Sequence, residues 1–559
     1  MVRAPALFTA RIACALATVT AAACGTSAPR AHRHGSLSAR ERPASASGCE
    51  LGEAEGPRVC AIARVDAETG IVDVALSLDP AALPSERRDV RLAFRAGALG
   101  ERYVEERVDL IEGRWALGAL TRPARVRYRV TLDPAGDAPR RSFRRARGWH
   151  VTGLSFLPDI IVDGTRAEVP ATLRIDAGPA PVWTAAGSDR RLYDAPSLLR
   201  LADEAYEVGP LVTTRRDAGG AILWIGASAP EDARAIEALA DVLARAMDAL
   251  ARRLGPPPAD AILVAVHAAD APAHAERLGT SLTYRGRDGA RADPLHGALA
   301  LALEELVRFW APGTHASVEE WLAEGVGDYL ALVTAAELAG APPESVARDV
   351  LAQRRGAGDP RSLGITAAFC LDAYLESEGS SLGAVLRTTL ARDDDEPIGA
   401  EALLEDLAAI SPASAGQLAA LLEGVPDALD ECLERYGFDA REVAYEGWTD
   451  LSLARDVLGA RELRALGAAR GLVIEAVDPE ASPFEAGDVV LEVEGVRVGS
   501  LDDLAWALRN RSAGARATAS IRRRGEPRSV ALELPRTGDD RREPRAYLEL
   551  VPVGEREAP

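Results

Sequence analysis

Two short segments hold the residues of this chain that are best placed to do chemistry. The run LEELVRFW contains Glu304 and Glu305, and the run WLAEG contains Glu324. Carboxylates on adjacent helices can ligate a divalent metal ion or serve as a general base. Arg308 lies four residues after Glu304, and its guanidinium group can only donate hydrogen bonds. A metal site built from these glutamates would therefore face a fixed positive charge.

The two segments resemble the zinc site of gluzincin-type metallopeptidases. In those enzymes a helix carries His-Glu-x-x-His, whose two imidazoles share the ion, and a later helix supplies a glutamate. When Trp310 is aligned with the tryptophan that often follows the motif, the histidine positions fall on Glu304 and Arg308. The third ligand falls on Glu324 and the general base on Glu305. The resemblance therefore implies a vestigial general base and no metal at the three ligand positions.

The same helix also has an ordinary interpretation. Leu306 and Val307 suit a core-facing surface, and a glutamate–arginine pair one turn apart stabilises a helix by about 0.3–0.5 kcal/mol. In the vestigial interpretation, we expect Arg308 to lie between Glu305 and Glu324 and to satisfy both carboxylates. The arginine would then take over the structural role of the ion.

The chain is too long for one hydrophobic core. At 559 residues, and with roughly 100–200 residues per domain, it should fold as several domains. Its hydrophobic content of 47% is that of a globular protein. A formal net charge of -20 argues against a nucleic-acid partner, because no basic patch of suitable size offsets the acidic excess.

The N-terminus resembles a bacterial lipoprotein signal peptide. Residues 1–23 contain a short apolar run that ends in three alanines, and Cys24 follows as the residue that would be lipidated. An ordinary secretory signal is the alternative, and both would export the protein. With lipidation, residues 24–48 become a flexible tether, and the chain is expected in the cell envelope, anchored to the membrane. Gly25 in place of aspartate favours the periplasmic face of the outer membrane.

Export makes disulfide bonds possible. Four cysteines follow Cys24, and none forms the Cys-x-x-Cys pair that is typical of zinc ligation. The candidate disulfides are Cys49 with Cys60, a local closure, and Cys370 with Cys432, which would join two helical segments.

The order of residue patterns predicts a multidomain α+β protein. Short runs of alternating apolar and polar residues over 49–176 predict a β-sandwich-like N-terminal domain. Residues 177–445 turn from an α/β pattern to a mostly α pattern and hold the degenerate site. Residues 446–540 resemble a PDZ domain, which leaves a C-terminal tail over 541–559.

The PDZ resemblance rests on the runs GLVIEAVDP and SPFEAGDVVLEVEG, which a helix and a strand follow. PDZ domains accept an extended peptide as an added strand beside a helix. By this resemblance the carboxylate-binding loop corresponds to Leu458 and Gly459, and the pocket wall to Leu504 and Leu508. The expected partner is therefore a peptide or a protein C-terminus.

The succession of an exported β domain, a peptidase-like domain and a PDZ domain resembles the glycyl aminopeptidase family of zinc metallopeptidases. The run GITAAFCLD, which begins at Gly364, is similar to a helix of that family. The active site departs from the family's pattern, because both zinc histidines are replaced. A catalytic tyrosine expected just before this helix is also absent, and Arg361 stands in that segment.

The resemblance implies a fold more firmly than an activity. A peptidase of this class needs zinc to lower the pKa of its water and to polarise the scissile carbonyl. We therefore expect a pseudopeptidase that holds no cofactor and acts by binding peptides or proteins, with zinc present only if the alignment is misplaced. An active metal-dependent peptidase with a non-standard site is the alternative, and a purely structural envelope protein is a third possibility.

Overall fold

The computed structural model describes residues 58–83, 89–94, 103–104, 109–111, 114–135, 141–188, 192–229, 232–269, 274–286, 299–310, 318–353, 359–390, 398–423, 428–478, 482–536 and 542–553. The predicted signal segment and tether, with Cys24 and Cys49, lie outside these residues. Among the described residues, no helix is both long enough and apolar enough to cross a membrane.

Short strands dominate the chain up to residue 208. They are, in chain order, β1 (Val59–Val65), β2 (Ile71–Leu78), β3 (Val90–Ala93), β4 (Tyr103–Val104), β5 (Asp109–Ile111), β6 (Arg114–Gly118), β7 (Ala124–Thr131), β8 (Phe143–Arg145), β9 (Gly148–Thr152), β10 (Asp159–Val162), β11 (Thr165–Arg166), β12 (Ala171–Asp176), β13 (Val182–Trp183), β14 (Leu192–Ala195) and β15 (Ala205–Val208). They form sheets of six, five and four strands, in the orders β14-β12-β1-β2-β7-β4, β11-β10-β3-β6-β5 and β13-β15-β9-β8.

Alternation of apolar and polar residues builds this domain. On β7 the side chains of Val126, Tyr128 and Val130 are buried while the arginines between them face solvent. Residues of all three sheets meet in one hydrophobic core. The predicted β-rich N-terminal domain is therefore confirmed.

The N-terminal sheets continue beyond residue 176, where the sequence analysis ends this domain. Strand β14 pairs with β12, and β15 pairs with β9. The short helix α1 (Leu198–Ala202) between them also packs into the same core. The alternation that marks β7 is absent from β15 because all four of its residues are buried.

A five-stranded sheet follows, and its strands and long helix agree with the predicted α/β segment. Its elements are β16 (Val212–Ala218), β17 (Ala221–Ala227), α2 (Ala233–Leu254), β18 (Ala261–Ala268), β19 (His274–Leu278) and β20 (Ser281–Gly286). The strand order is β16-β17-β18-β20-β19. Because β17 and β18 are parallel, the chain needs a long crossover between them, and α2 provides it.

The next region is helical, as predicted. Its α-helices are α3 (Leu299–Val307), α4 (Gly327–Ala339), α5 (Pro343–Gln353), α6 (Pro360–Ser377), α7 (Leu382–Leu390), α8 (Ala400–Ile410), α9 (Pro412–Leu422) and α10 (Ala428–Arg435). A π-helix, Trp321–Val326, leads into α4. Cys370 on α6 and Cys432 on α10 form a disulfide bond, and Cys60 is also disulfide-bonded, although its predicted partner lies outside the described residues.

The C-terminal region consists of strands, one π-helix and one α-helix, and we call it the sheet-rich unit. Its elements are β21 (Phe438–Trp448), a π-helix (Ser452–Val457), β22 (Ala460–Ala465), β23 (Leu472–Val477), β24 (Val489–Val493), β25 (Val496–Arg497), α11 (Leu501–Ala507), β26 (Arg516–Arg523), β27 (Glu526–Glu533) and β28 (Arg542–Pro552). One sheet has the order β22-β23-β24-β26-β27, with β25 also paired to β24. This leaves β22 at an edge of the sheet.

A two-stranded ribbon connects this unit to the helical region. Strand β28, which lies in the expected C-terminal tail, pairs antiparallel with β21 along its whole length. The chain therefore enters and leaves the sheet-rich unit through neighbouring strands. At the middle of the ribbon, Trp506 of α11 stacks on Tyr547 of β28, with ring centroids 4.6 Å apart.

Candidate functional site

Three glutamates and one arginine come together where α3 faces the π-helix Trp321–Val326. Glu304 and Glu305 lie on α3, and Glu324 lies on the π-helix; we call these three residues the glutamate cluster. Arg308 donates from one terminal nitrogen to Glu305 and from the other to Glu324. Its guanidinium group therefore lies between two carboxylates that would otherwise repel each other.

A close helix crossing positions Glu324. A Cβ atom on Gly364 of α6 would lie 1.9 Å from the carbonyl oxygen of Trp321, so only glycine permits this approach. Gly325 makes the reciprocal contact, since a Cβ there would lie 2.5 Å from the Arg361 carbonyl oxygen. The crossing brings the first turn of α6, which carries Arg361, to the side of the glutamate cluster.

Glu305 is the most deeply buried member of the glutamate cluster. Its carboxylate accepts a hydrogen bond from the backbone N–H of Arg277 at 3.1 Å as well as the bond from Arg308. Burial raises the pKa of Glu305 above its usual value, although the nearby arginines act in the opposite direction. The Glu305 carboxylate, which was predicted as a vestigial general base, thus accepts hydrogen bonds from two donors.

Glu304 faces two other arginines. Arg361 approaches it at 3.6 Å and Arg470 at 3.4 Å. Arg361 also forms an ion pair with Asp328 on α4. Burial, together with the neighbouring charge of Glu304, raises the pKa of Asp328 to about 6.

Arg470 reaches this site from the C-terminal unit. It lies in the turn between β22 and β23, a segment that we call the docking hairpin (residues 466–471). Asp349 on α5 accepts the backbone N–H groups of Ala468 and Ala469. Ala469 is completely buried in the core of the helical region. The sheet-rich unit is therefore docked against the helical region beside the glutamate cluster.

The residues at the family's zinc position do not fit a zinc ion in this structure. Arg308, which the sequence analysis aligned with a ligand position, carries a permanent positive charge and already donates to both Glu305 and Glu324. No catalytic step through a metal at this position follows from the geometry.

A different group of side chains contradicts the expectation that the chain holds no cofactor. His150, Glu207 and His267 each offer a ligand atom, and these atoms lie within 4.8 Å of one another. Imidazole nitrogens and a carboxylate oxygen are the ligands that zinc prefers in proteins. The expectation was wrong because it considered only the α3 region, whereas this cluster comes from strands of two sheets.

Sequence spacing could not reveal this cluster, but local context gives a signal. His150 and Glu207 are separated by 57 positions, and Glu207 and His267 by 60. Each is a polar residue within an apolar strand: WHV in β9, AYEV in β15 and LVAVHA in β18. Such a residue must find partners across the core, because an unpaired buried polar group is costly.

The residues predicted for the peptide groove lie together, but the three leucines among them are shielded from solvent. Leu458, Leu504 and Leu508 are completely buried in the core of the sheet-rich unit. Gly459 has a φ of 59°, and the carbonyl of Leu458 accepts a hydrogen bond from Ser482 at 2.6 Å. The loop is therefore fixed in place, and Leu458 of the loop and Leu504 and Leu508 of the α11 segment contribute to the core.

Residues 457–534 match the family model described as the PDZ domain. No curated protein is similar enough in sequence to match the chain. Among solved structures, an aminopeptidase N family protein from Idiomarina loihiensis is similar at 15% identity and a TM-score of 0.51, over 87% of this chain and 98% of that one. An M1 zinc metallopeptidase from Deinococcus radiodurans aligns at 18% identity and a TM-score of 0.42, over 67% of this chain and 96% of that one. Leukotriene A4 hydrolase from Saccharomyces cerevisiae aligns at 12% identity and a TM-score of 0.45, over 66% of each chain.

At 15% identity, the first of these structures shows the fold alone. The chain has a fold similar to that of this aminopeptidase N family protein, together with a C-terminal PDZ domain, and the predicted peptidase-like architecture with a PDZ domain is confirmed.

The contacts of Arg308 predict a stability defect in the Arg308→Ala variant. Removing the guanidinium leaves Glu305 and Glu324 without their shared donor, and the free energy of unfolding should fall by roughly 1–3 kcal/mol. Chemical denaturation followed by circular dichroism measures the loss. Arg234→Ala, at an exposed position on α2, is the matched control and should change stability little.

A double variant separates charge repulsion from lost packing. If repulsion between the carboxylates causes the defect, Glu305→Gln combined with Arg308→Ala should recover most of the stability. An Arg308→Ala protein as stable as the wild type would contradict the bridging role.

The docking hairpin predicts a stability that depends on pH. Burial raises the pKa of Asp349 to about 7, whereas an unfolded aspartate titrates near 4. The folded state therefore binds more protons over this window, and the contribution of Asp349 to stability declines as pH rises from about 4 to about 7. Asp349→Asn keeps one acceptor for the hairpin but cannot titrate.

The difference in urea midpoint between the wild type and Asp349→Asn should accordingly shrink, or turn against the wild type, as pH rises through that window. Glu320→Gln, at an exposed carboxylate, serves as the control. Parallel pH profiles for the wild type and Asp349→Asn would refute this assignment.

Proposed function

We propose that this chain acts by binding peptides or proteins and does not hydrolyse them by the mechanism of the zinc peptidases. The observation that carries the proposal is the position of Arg308 between Glu305 and Glu324. The cation that contacts the Glu305 carboxylate is the Arg308 guanidinium, which can donate hydrogen bonds but cannot act as a Lewis acid. A carboxylate alone neither activates a water molecule sufficiently nor stabilises the oxyanion that would form.

The alternative of an active metal-dependent peptidase gains no support from the histidine–glutamate cluster. His150, Glu207 and His267 are each at most 3% exposed, so a substrate could not reach an ion held there. A catalytic metal needs an open coordination position that faces the substrate. We therefore assign any metal held there a role other than hydrolysis.

The proposed binding surface is the free edge of β22 in the PDZ domain. Strand β22 pairs with β23 on one side, and no described strand pairs with its other side. An unpaired strand edge offers backbone donors and acceptors to an extended peptide. Arg461 and Glu462 on this strand are exposed and are available to contact the side chains of the peptide.

The ladder between β22 and β23 predicts which backbone groups of the edge face outward. The N–H of Leu466 bonds inward to the Gly471 carbonyl at 3.1 Å. Because antiparallel strands alternate inward and outward pairs, the N–H and carbonyl groups of Ala465 and Leu463 point away from the sheet. These two residues should form the backbone contacts with an added strand.

Substituting proline at Ala465 tests this surface. Proline removes the outward N–H of Ala465 without removing a bond of the ladder, and prolines are tolerated at strand edges. Peptides are first selected on the wild-type protein from a library with free C-termini, and their affinities are then measured by calorimetry. Ala465→Pro should weaken binding by at least about tenfold, or about 1.4 kcal/mol.

Ala465→Thr is the matched control, since it keeps the N–H and a strand-forming residue. Equal affinity of the proline and threonine variants would place the peptide elsewhere. A library that yields no binder would count against the whole proposal, whereas turnover of the selected peptides would favour the peptidase.

We also propose that the protein works at the cell envelope, exported and anchored by a lipid on Cys24, on the periplasmic face of the outer membrane. The support is the alanine-rich segment that precedes Cys24. In a bacterial host fed labelled palmitate, the wild-type chain should carry label in the membrane fraction. Cys24→Ser should carry none and be released, and an unlabelled wild type would exclude the anchor.

A further inference from the structure

A buried polar cluster joins the N-terminal domain to the five-stranded sheet. His150 on β9 and Glu207 on β15 belong to the N-terminal domain, and His267 lies on β18 of the five-stranded sheet. Their exposed fractions are 2%, 0% and 3%. The cluster is remote in sequence from α3 and has no part in the proposed peptide binding.

The ligand atoms of the three side chains converge on one point. Oxygen Oε1 of Glu207 lies 2.6 Å from Nδ1 of His150 and 3.1 Å from Nε2 of His267. A four-coordinate zinc ion with ligand bonds of about 2.0–2.2 Å holds its ligand atoms roughly 3.3 Å apart. For an ion of this size to enter, the Glu207 oxygen would have to move away from both imidazole nitrogens by less than about 1 Å.

The surrounding residues hold these side chains in the orientation that metal binding needs. Ser228 lies 3.0 Å from Nδ1 of His267, the nitrogen that faces away from the cluster. Phe143 stacks on the ring of His150, with the two centroids 4.6 Å apart. Hydrogen-bond partners of the distal nitrogen and packed rings of this kind hold the imidazoles of metal-binding histidines in place.

Arg145 contacts the cluster in a way that leaves the ligand atoms free. Its Nε lies 3.0 Å from Oε2 of Glu207, the oxygen that does not face the imidazoles. Its other nitrogens donate to the carbonyl of Val208 at 2.6 Å and to Ser228 at 3.2 Å. This differs from Arg308, which stands in a ligand position.

The charges are also compatible with a divalent ion. The carboxylate of Glu207 and the guanidinium of Arg145 cancel, so the site with neutral imidazoles has no net charge before an ion enters. Three neutral histidines, which bind zinc in carbonic anhydrase, likewise contribute no charge. Two imidazoles and one carboxylate suit zinc and its neighbours in the first transition row better than calcium or magnesium.

We propose that His150, Glu207 and His267 bind a divalent transition-metal ion, zinc by preference, that clamps the N-terminal domain to the five-stranded sheet. The three residues leave one coordination position for a water molecule or another small ligand. Because the side chains belong to two separately formed sheets, the site exists only in the folded protein, and metal affinity contributes directly to stability.

The test uses the full mature chain without a metal-binding tag. The protein is refolded with cobalt chloride or with zinc chloride and dialysed against a weak chelator, and its bound metal and melting temperature are measured. We expect stoichiometric metal, the visible absorption of four-coordinate cobalt, and a melting temperature several degrees above that of protein refolded with a strong chelator.

Two variants locate the bound metal. His267→Gln keeps a hydrogen-bonding side chain but should lower metal affinity by at least about 10–100-fold. His274→Gln, at an exposed histidine on β19 of the same sheet, should leave the affinity unchanged. If His267→Gln does not fold, the cobalt spectrum of the wild type still decides whether imidazole and carboxylate ligands hold the ion. Substoichiometric metal in the wild type, a melting temperature unaffected by metal, or equal loss in both variants would overturn the proposal.

Discussion

The glutamate cluster, in which two carboxylates are largely buried and the third is partly exposed, is the constraint on which its neighbouring elements depend. The glutamate cluster on α3 and the π-helix would be unstable without cations between its members. In a zinc peptidase a divalent ion supplies that charge at one point. Here Arg308 lies between Glu305 and Glu324 and donates a hydrogen bond to each. It therefore supplies directional hydrogen bonds as well as positive charge.

Arg308 donates to two of the three glutamates, and Glu304 is balanced by arginines from other parts of the fold. Arg361 approaches Glu304 from α6, and Arg470 approaches it from the docking hairpin of the PDZ domain. Asp349 receives the backbone of the same hairpin. A charged side chain of the PDZ domain therefore contributes to the electrostatic balance of the glutamate cluster.

Local patterns in the sequence were enough to predict most helices and strands. The two-residue alternation of a strand and the 3.6-residue repeat of a helix can each be recognised in a short segment. Helix α2 and strand β18 follow from their apolar spacing, and the meeting of Arg308 with Glu305 follows from the helical turn. Strand β15 was missed since burial on both faces removes its alternation. The resemblance to PDZ domains assigned Leu504 to the wall of the peptide pocket, but the packing that buries its side chain depends on the whole core.

The histidine–glutamate cluster shows why the remainder could not be predicted. Its members lie on strands that become neighbours only after two sheets form and meet, so no spacing in the chain identifies them. The docking hairpin has the same property, since LGAARG is an ordinary turn by composition. In both places the chemistry arises from tertiary contacts between domains.

The ribbon of β21 and β28 has a topological consequence. Each strand has 11 residues, and the register runs from Phe438 opposite Pro552 to Trp448 opposite Arg542. The PDZ domain is thus an insertion at the end of a hairpin, and backbone hydrogen bonds hold its two connecting strands, β21 and β28, together. A single backbone cleavage inside the domain would leave two fragments that remain paired at this stem, so nicking by a protease would not by itself shed the domain from the chain.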